Sequence, residues 1–112
     1  MTPSAAKAKA RRSQHWVRDK LLELYPELEA DDVRSTPMGV TGEDIQLSPK
    51  ARKLFPFAVE CKARKSFSVY KDFEQAQKHQ KEFPGILFLK ADRKEPLAVM
   101  SAEIFFQLWA LK

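Results

Sequence analysis

The sequence predicts an α/β (α+β) domain, a central mixed β-sheet flanked by helices. Three observations carry that expectation. Apolar residues return at helical spacing from about Ala10 to Tyr25. A strand–helix–strand unit spans residues 57 to 90, which favours a parallel pair joined by a right-handed crossover. An apolar helix, 101–111, then closes the chain after one more strand.

The 112 residues suffice for one domain with one modest core. We divide them into a basic arm over 1–12, flexible or a helix extension, and a single domain over 13–112. Lys and Arg outnumber Asp and Glu by 20 to 15, a formal charge of +5, which favours a polyanionic partner. A single cysteine, Cys61, excludes an intrachain disulfide and a Cys-rich zinc site. No apolar run approaches the ~18 residues of a membrane span, and no signal-peptide core opens the chain. The expectation is an intracellular protein with no membrane partner.

Element by element, the first helix places Val17, Leu21, Leu24 and Leu28 on one buried stripe and ends at Pro26. Stepping that stripe back by three puts the amide of Gln14 on the inward face. Val33–Thr36 reads as a short strand. Pro37, Gly39 and Gly42 mark turns, and Asp44–Leu47 alternates like a half-buried strand. Ser48-Pro49 is a helix cap followed by proline at the first helical position, opening a short basic helix closed by Pro56. In the strand that follows, Phe57, Val59 and Cys61 point to the core while Glu60 and Lys62 share the other face. A second amphipathic helix runs from about Tyr70 to Phe83, with Tyr70, Phe73, Ala76 and Phe83 inward. Ile86–Lys90 reads as an interior strand, Asp92–Glu95 as a charged turn and Leu97–Met100 as a further strand. In the closing helix Ile104, Phe105, Leu108 and Trp109 form the buried stripe. With Phe106 and Leu111 it carries more apolar surface than one stripe needs, and the excess suits a dimer face.

A carboxylate and an ammonium side by side on an apolar strand are costly unless something balances them. A divalent cation between Asp44 and Glu60, with Lys62 beside an attacking water or a phosphate oxygen, balances all three. An ordinary surface Glu–Lys pair and a loop aspartate are the bland alternative. Arg11, Arg12, Arg34, Lys50, Arg52, Lys53, Arg64 and Lys65 are candidates for phosphate contacts. His15 and His79 lack metal-ligand spacing and read as surface or boundary residues.

The run RRSQHWVRDKLLELYPEL, DDVRSTPMG, GEDIQLSP, FAVECKARK and FEQA resembles the PD-(D/E)XK nuclease superfamily. Within it, the chain is similar to small phage-type endonucleases related to Holliday-junction resolvases, over roughly residues 11–100. The resemblance implies a restriction-endonuclease-like core and a Mg²⁺-dependent endodeoxyribonuclease, with Mn²⁺ able to substitute. It implies metal ligation by Asp44, Glu60 and the backbone carbonyl of Cys61, with Lys62 acting on the water and the developing charge. Gln14 stands where many members carry a glutamate, and Gln75 matches a glutamine placed near the site, with Gln77 as its rival. Branched or junction DNA is the implied substrate. A homodimer follows because resolving a junction needs two cuts, and a phage origin would put the protein in a bacterial cytoplasm. The alternatives are a general duplex or single-strand nuclease, a non-catalytic DNA-binding protein, and a protein-interaction module.

Overall fold

The computed structural model describes residues 2–78 and 82–111. The chain folds as a mixed α/β structure. Helix α1 (Pro3–Leu24) is followed by a 3-10 turn (Ala30–Asp32), strands β1 (Val33–Ser35) and β2 (Ile45–Leu47), and helix α2 (Pro49–Leu54). Strand β3 (Ala58–Arg64), helix α3 (Val69–Lys78), strands β4 (Gly85–Ala91) and β5 (Leu97–Val99), and helix α4 (Ala102–Ala110) complete it.

The strands form two separate groups. β1 and β2 are an antiparallel pair, with Arg34 opposite Gln46. β3 pairs parallel with β4, and β4 antiparallel with β5, giving a three-stranded mixed sheet in which Glu60 lies opposite Leu87. The expected parallel β3–α3–β4 unit is present; the single sheet is not. The groups meet beside Asp44, whose N–H donates to the Val59 carbonyl at 2.9 Å.

Helix α1 starts earlier than the apolar pattern suggests. Thr2 caps it by accepting the Ala5 N–H at 3.1 Å, and Pro3 occupies the first turn. The basic segment is therefore helical from Pro3. Gln14, Val17 and Leu21 are its buried residues. Leu24 is 62 % exposed, because Pro26 turns the chain there. Tyr25 packs on the core in its place, with its hydroxyl donating to the Leu54 carbonyl at 2.9 Å. Leu28 beyond the break is buried as expected.

Around α1 the core gathers Val33, Ile45, Ala51, Phe57, Val59, Cys61 and Ile86. Helix α3 packs on β4 at closest approach, since a Cβ on Gly85 would meet the Ala76 carbonyl carbon at 2.7 Å. Tyr70, expected inward, is exposed in the first turn of α3, where Asp72 is buried instead; Ala76 is buried as expected. His79, Gln80 and Lys81, placed by sequence on the polar side of this helix, lie outside the described residues. Helix α4 has no buried residue. It lies beside β5, a short edge strand, and reaches the core through Ile104, so the expected buried stripe of Phe105, Leu108 and Trp109 stays largely in solvent. No helix among the described residues is long and apolar enough to cross a membrane.

Candidate active site

The Glu60–Lys62 pair sits on β3, an edge strand of its sheet. The period-two alternation of the strand puts both side chains on one face, and Lys62 Nζ lies 3.2 Å from Glu60 Oε2. Glu60 is 5 % exposed, so this carboxylate is desolvated beside its cation. Opposite, Cys61 faces the core. Burial pushes its thiol well above the ordinary range, and the Asp44 and Glu60 charges add to that. It therefore stays protonated and is a packing group rather than a nucleophile.

Asp44 comes from the loop between β1 and β2. Gly39 and Gly42, both at positive φ, let this loop turn back on itself. Its neck is closed by buried Thr36, whose N–H donates to the Asp44 carbonyl at 2.9 Å and whose hydroxyl donates to the Glu43 carbonyl. Asp44 is thereby laid along the outer edge of β3. Its N–H binds the Val59 carbonyl, and its Oδ2 accepts the Cys61 N–H at 2.7 Å. The aspartate brackets Glu60 from the backbone side.

One cavity of about 270 Å³ is lined by Gln14, Asp44, Glu60, Cys61, Lys62 and Arg64, with loop residues 37–40 as its outer wall. Four of the five expected catalytic side chains thus converge. Gln75 does not. It is exposed on α3 and lines a different cavity with Ser68, Lys71 and Asp72; Gln77 is exposed as well. Gln14 lines the site, yet its Oε1 accepts a 2.6 Å hydrogen bond from Ser35 Oγ. Among the described residues no group of three or more His, Cys, Asp or Glu side chains could hold a metal. Asp44 and Glu60 remain a pair of hard oxygen donors, the chemistry Mg²⁺ prefers.

The expected phosphate contacts divide. Arg64 lines the site, and Arg11 and Arg34 line a neighbouring cavity. Arg12, Lys53 and Lys65 are exposed. Lys50 donates to the Glu27 carbonyl at 2.9 Å. Arg52 is tied up inside the fold: it donates to both Glu43 oxygens at 2.8 and 3.1 Å and to the Phe57 carbonyl at 2.7 Å, and it stacks on Phe83. It is a structural ion pair, not a phosphate contact.

Sequence reasoning missed Thr36, which closes the loop, and Asp72, which is 4 % exposed and receives Arg64 at 3.2 and 3.3 Å. Thr36 had a signal, a hydroxyl residue directly before the Pro-Gly turn. Asp72 had none, because its partner lies on another element.

No protein-family model, curated protein or solved structure matches this chain.

Proposed function

We propose that the protein is a divalent-metal-dependent DNA endonuclease acting on phosphodiester bonds, with branched DNA as its preferred substrate. The observation that carries this reading is the convergence of Asp44, buried Glu60 and Lys62 on one cavity, in a chain with a charge of +5. Asp44 and Glu60 would hold Mg²⁺, which when bound polarises a phosphodiester and lowers the pKa of its water. The chain's own groups do the rest. Lys62 sets a positive charge where negative charge develops on the phosphoryl oxygens. Glu60 keeps that ammonium in place. The Cys61 N–H holds the Asp44 carboxylate in a single orientation, and Arg64, at the rim, receives the DNA backbone. Loop residues 37–40 restrict solvent on the outer side.

Paired cutting of a junction calls for two copies. A folded chain of this mass exposes about 6,300 Å², against 7711 Å² here. The apolar face of α4 contributes to that surplus, and we assign it to a second copy.

Gln14 favours one other reading, a DNA-binding protein that does not cut, because it is an amide where the resemblance implies a glutamate, and its oxygen accepts from Ser35. Labelled four-way junction, duplex and single-stranded DNA incubated with Mg²⁺, Mn²⁺ or EDTA decide between them. Metal-dependent nicks concentrated at the junction are expected. Metal-independent binding with no product would establish the second reading.

A further inference from the structure

A second cavity, of about 680 Å³, is larger than the one that holds the carboxylates. It lies between α1 and β1, and its cationic wall is a second stripe of α1. Arg11, His15, Arg18 and Leu22 follow one another at steps of four, three and four, the spacing of one helix face. This face adjoins the buried stripe of Gln14, Val17 and Leu21. Arg34, exposed on β1, supplies a third guanidinium from the opposite side. The acid in the lining is Asp19, which takes Arg18 at Nε, 2.9 Å. That contact leaves the two terminal amino groups of Arg18, the fork that grips phosphate oxygens. Leu22 and Val33 make part of the lining apolar. Pro37 and Met38 line this cavity and the carboxylate cavity alike, so the two share a wall.

The geometry points to this groove as a second nucleic-acid subsite, in which Arg11, His15, Arg18 and Arg34 hold the phosphodiester backbone of the strand flanking the cleavage site. Arg11 and Arg18 are about 10 Å apart along the helix axis, roughly three nucleotide steps of a duplex strand. A single phosphate would use one end of such a stripe; a polymer uses all of it. The inference rests on nucleic acid being the substrate, but not on the chain cutting it.

Binding of labelled junction and duplex DNA in EDTA, across a salt series, tests it without reference to catalysis. The combined variant Arg11→Gln, His15→Gln, Arg18→Gln is compared with Lys20→Gln, Lys94→Gln, which removes the same formal charge. Lys20 lies about 180° around α1 from Arg11, and Lys94 is exposed in the β4–β5 turn. The groove variant should lose about tenfold or more in affinity at 0.1 M salt, and its salt slope should flatten by about two. The control should stay close to wild type. Arg18→Lys should recover less than the full affinity, because an ammonium lacks the fork. Equal losses in groove variant and control, or displacement of DNA by micromolar AMP, overturn the subsite while leaving the nuclease reading intact. Groove-dependent binding by a chain that cuts under no metal supports the subsite and removes the nuclease reading instead.

Discussion

Two glutamate–cation pairs sit on either side of the β2–β3 junction, similarly desolvated but engaged in different ways. Glu43 and Arg52 are joined by two short bonds, with side chains 14 % and 15 % exposed, and a carbonyl and an aromatic ring complete the guanidinium's surroundings. Glu60 and Lys62 are joined by one 3.2 Å contact and face a cavity that also receives Asp44 and Gln14. The first pair has used its hydrogen-bonding capacity to hold α2 against the loop that carries Asp44. The second is as desolvated but opens on space shaped by two other parts of the fold, α1 and the β1–β2 loop. A buried ion pair is weak evidence of either stability or function; the cavity beside it is what separates the two.

Exchanging the roles of the pairs breaks this comparison. The largest effect is expected at Glu60→Gln, which should lower DNA cleavage by about a thousandfold or more while affinity and melting temperature stay near wild type. Cleavage within tenfold of wild type would remove Glu60 from the chemistry. Next comes Arg52→Ala, which strands the Glu43 carboxylate and should cost about 3–5 kcal/mol of stability. Its cleavage per folded molecule should hardly change, as read by urea unfolding beside initial rates. Lys62→Ala should reduce the rate about a hundredfold with DNA affinity unchanged; a fall in affinity alone would make it a binding residue.

The smallest effect sharpens the comparison from outside both pairs. The Asp32 carboxyl is held below its ordinary value, first by the Glu29 N–H and then by the Ser48 hydroxyl. A carboxyl lowered in the folded state stabilises the protein above its unfolded pKa of about 3.9, and that contribution is lost as the pH falls further through the folded value. Asp32→Asn should therefore lower stability on the neutral side, where the ionised carboxylate contributes, and flatten the acid limb, so that the gap to wild type narrows below about pH 4. Chemical unfolding at pH 3 and pH 6 measures it.

Local chemistry was legible in the sequence, and long-range placement was not. Ser48-Pro49 announces α2, and the structure has Ser48 accepting the Ala51 N–H at 3.1 Å. The same signal stands at Thr2-Pro3, where α1 begins, although its apolar periodicity shows only from about Ala10. Alternation along β3 fixed which side chains face the core, because a two-residue period needs only the strand itself. The stripe of α1 held through Leu21 and failed at Leu24, where tertiary packing chose Tyr25 after the break. In α4, apolar periodicity could not say how much of the face the rest of the chain covers. Asp44, Glu60, Lys62 and Gln14 could be brought together on paper because they flank two short connections. Gln75 was misplaced since its direction depends on how α3 seats on β4, and Gly85 decides that from far along the chain.

Helix α1 carries groove and site on neighbouring faces of one rigid rod. Its near end is tied to the β4–β5 turn by the Lys9–Asp92 ion pair, Gln14 is bonded to Ser35 at mid-length, and Leu21 is anchored in the core. Gln14 and Arg18 are about 6 Å apart along the axis, with no loop between them to absorb a change. Under the proposed function such a rod is a ruler: it would fix the distance from a held backbone to the bond to be cut. One extra residue between Gln14 and Arg18 would swing the cation about 100° off the groove, so the offset of such a cut would be written into the pitch of the helix.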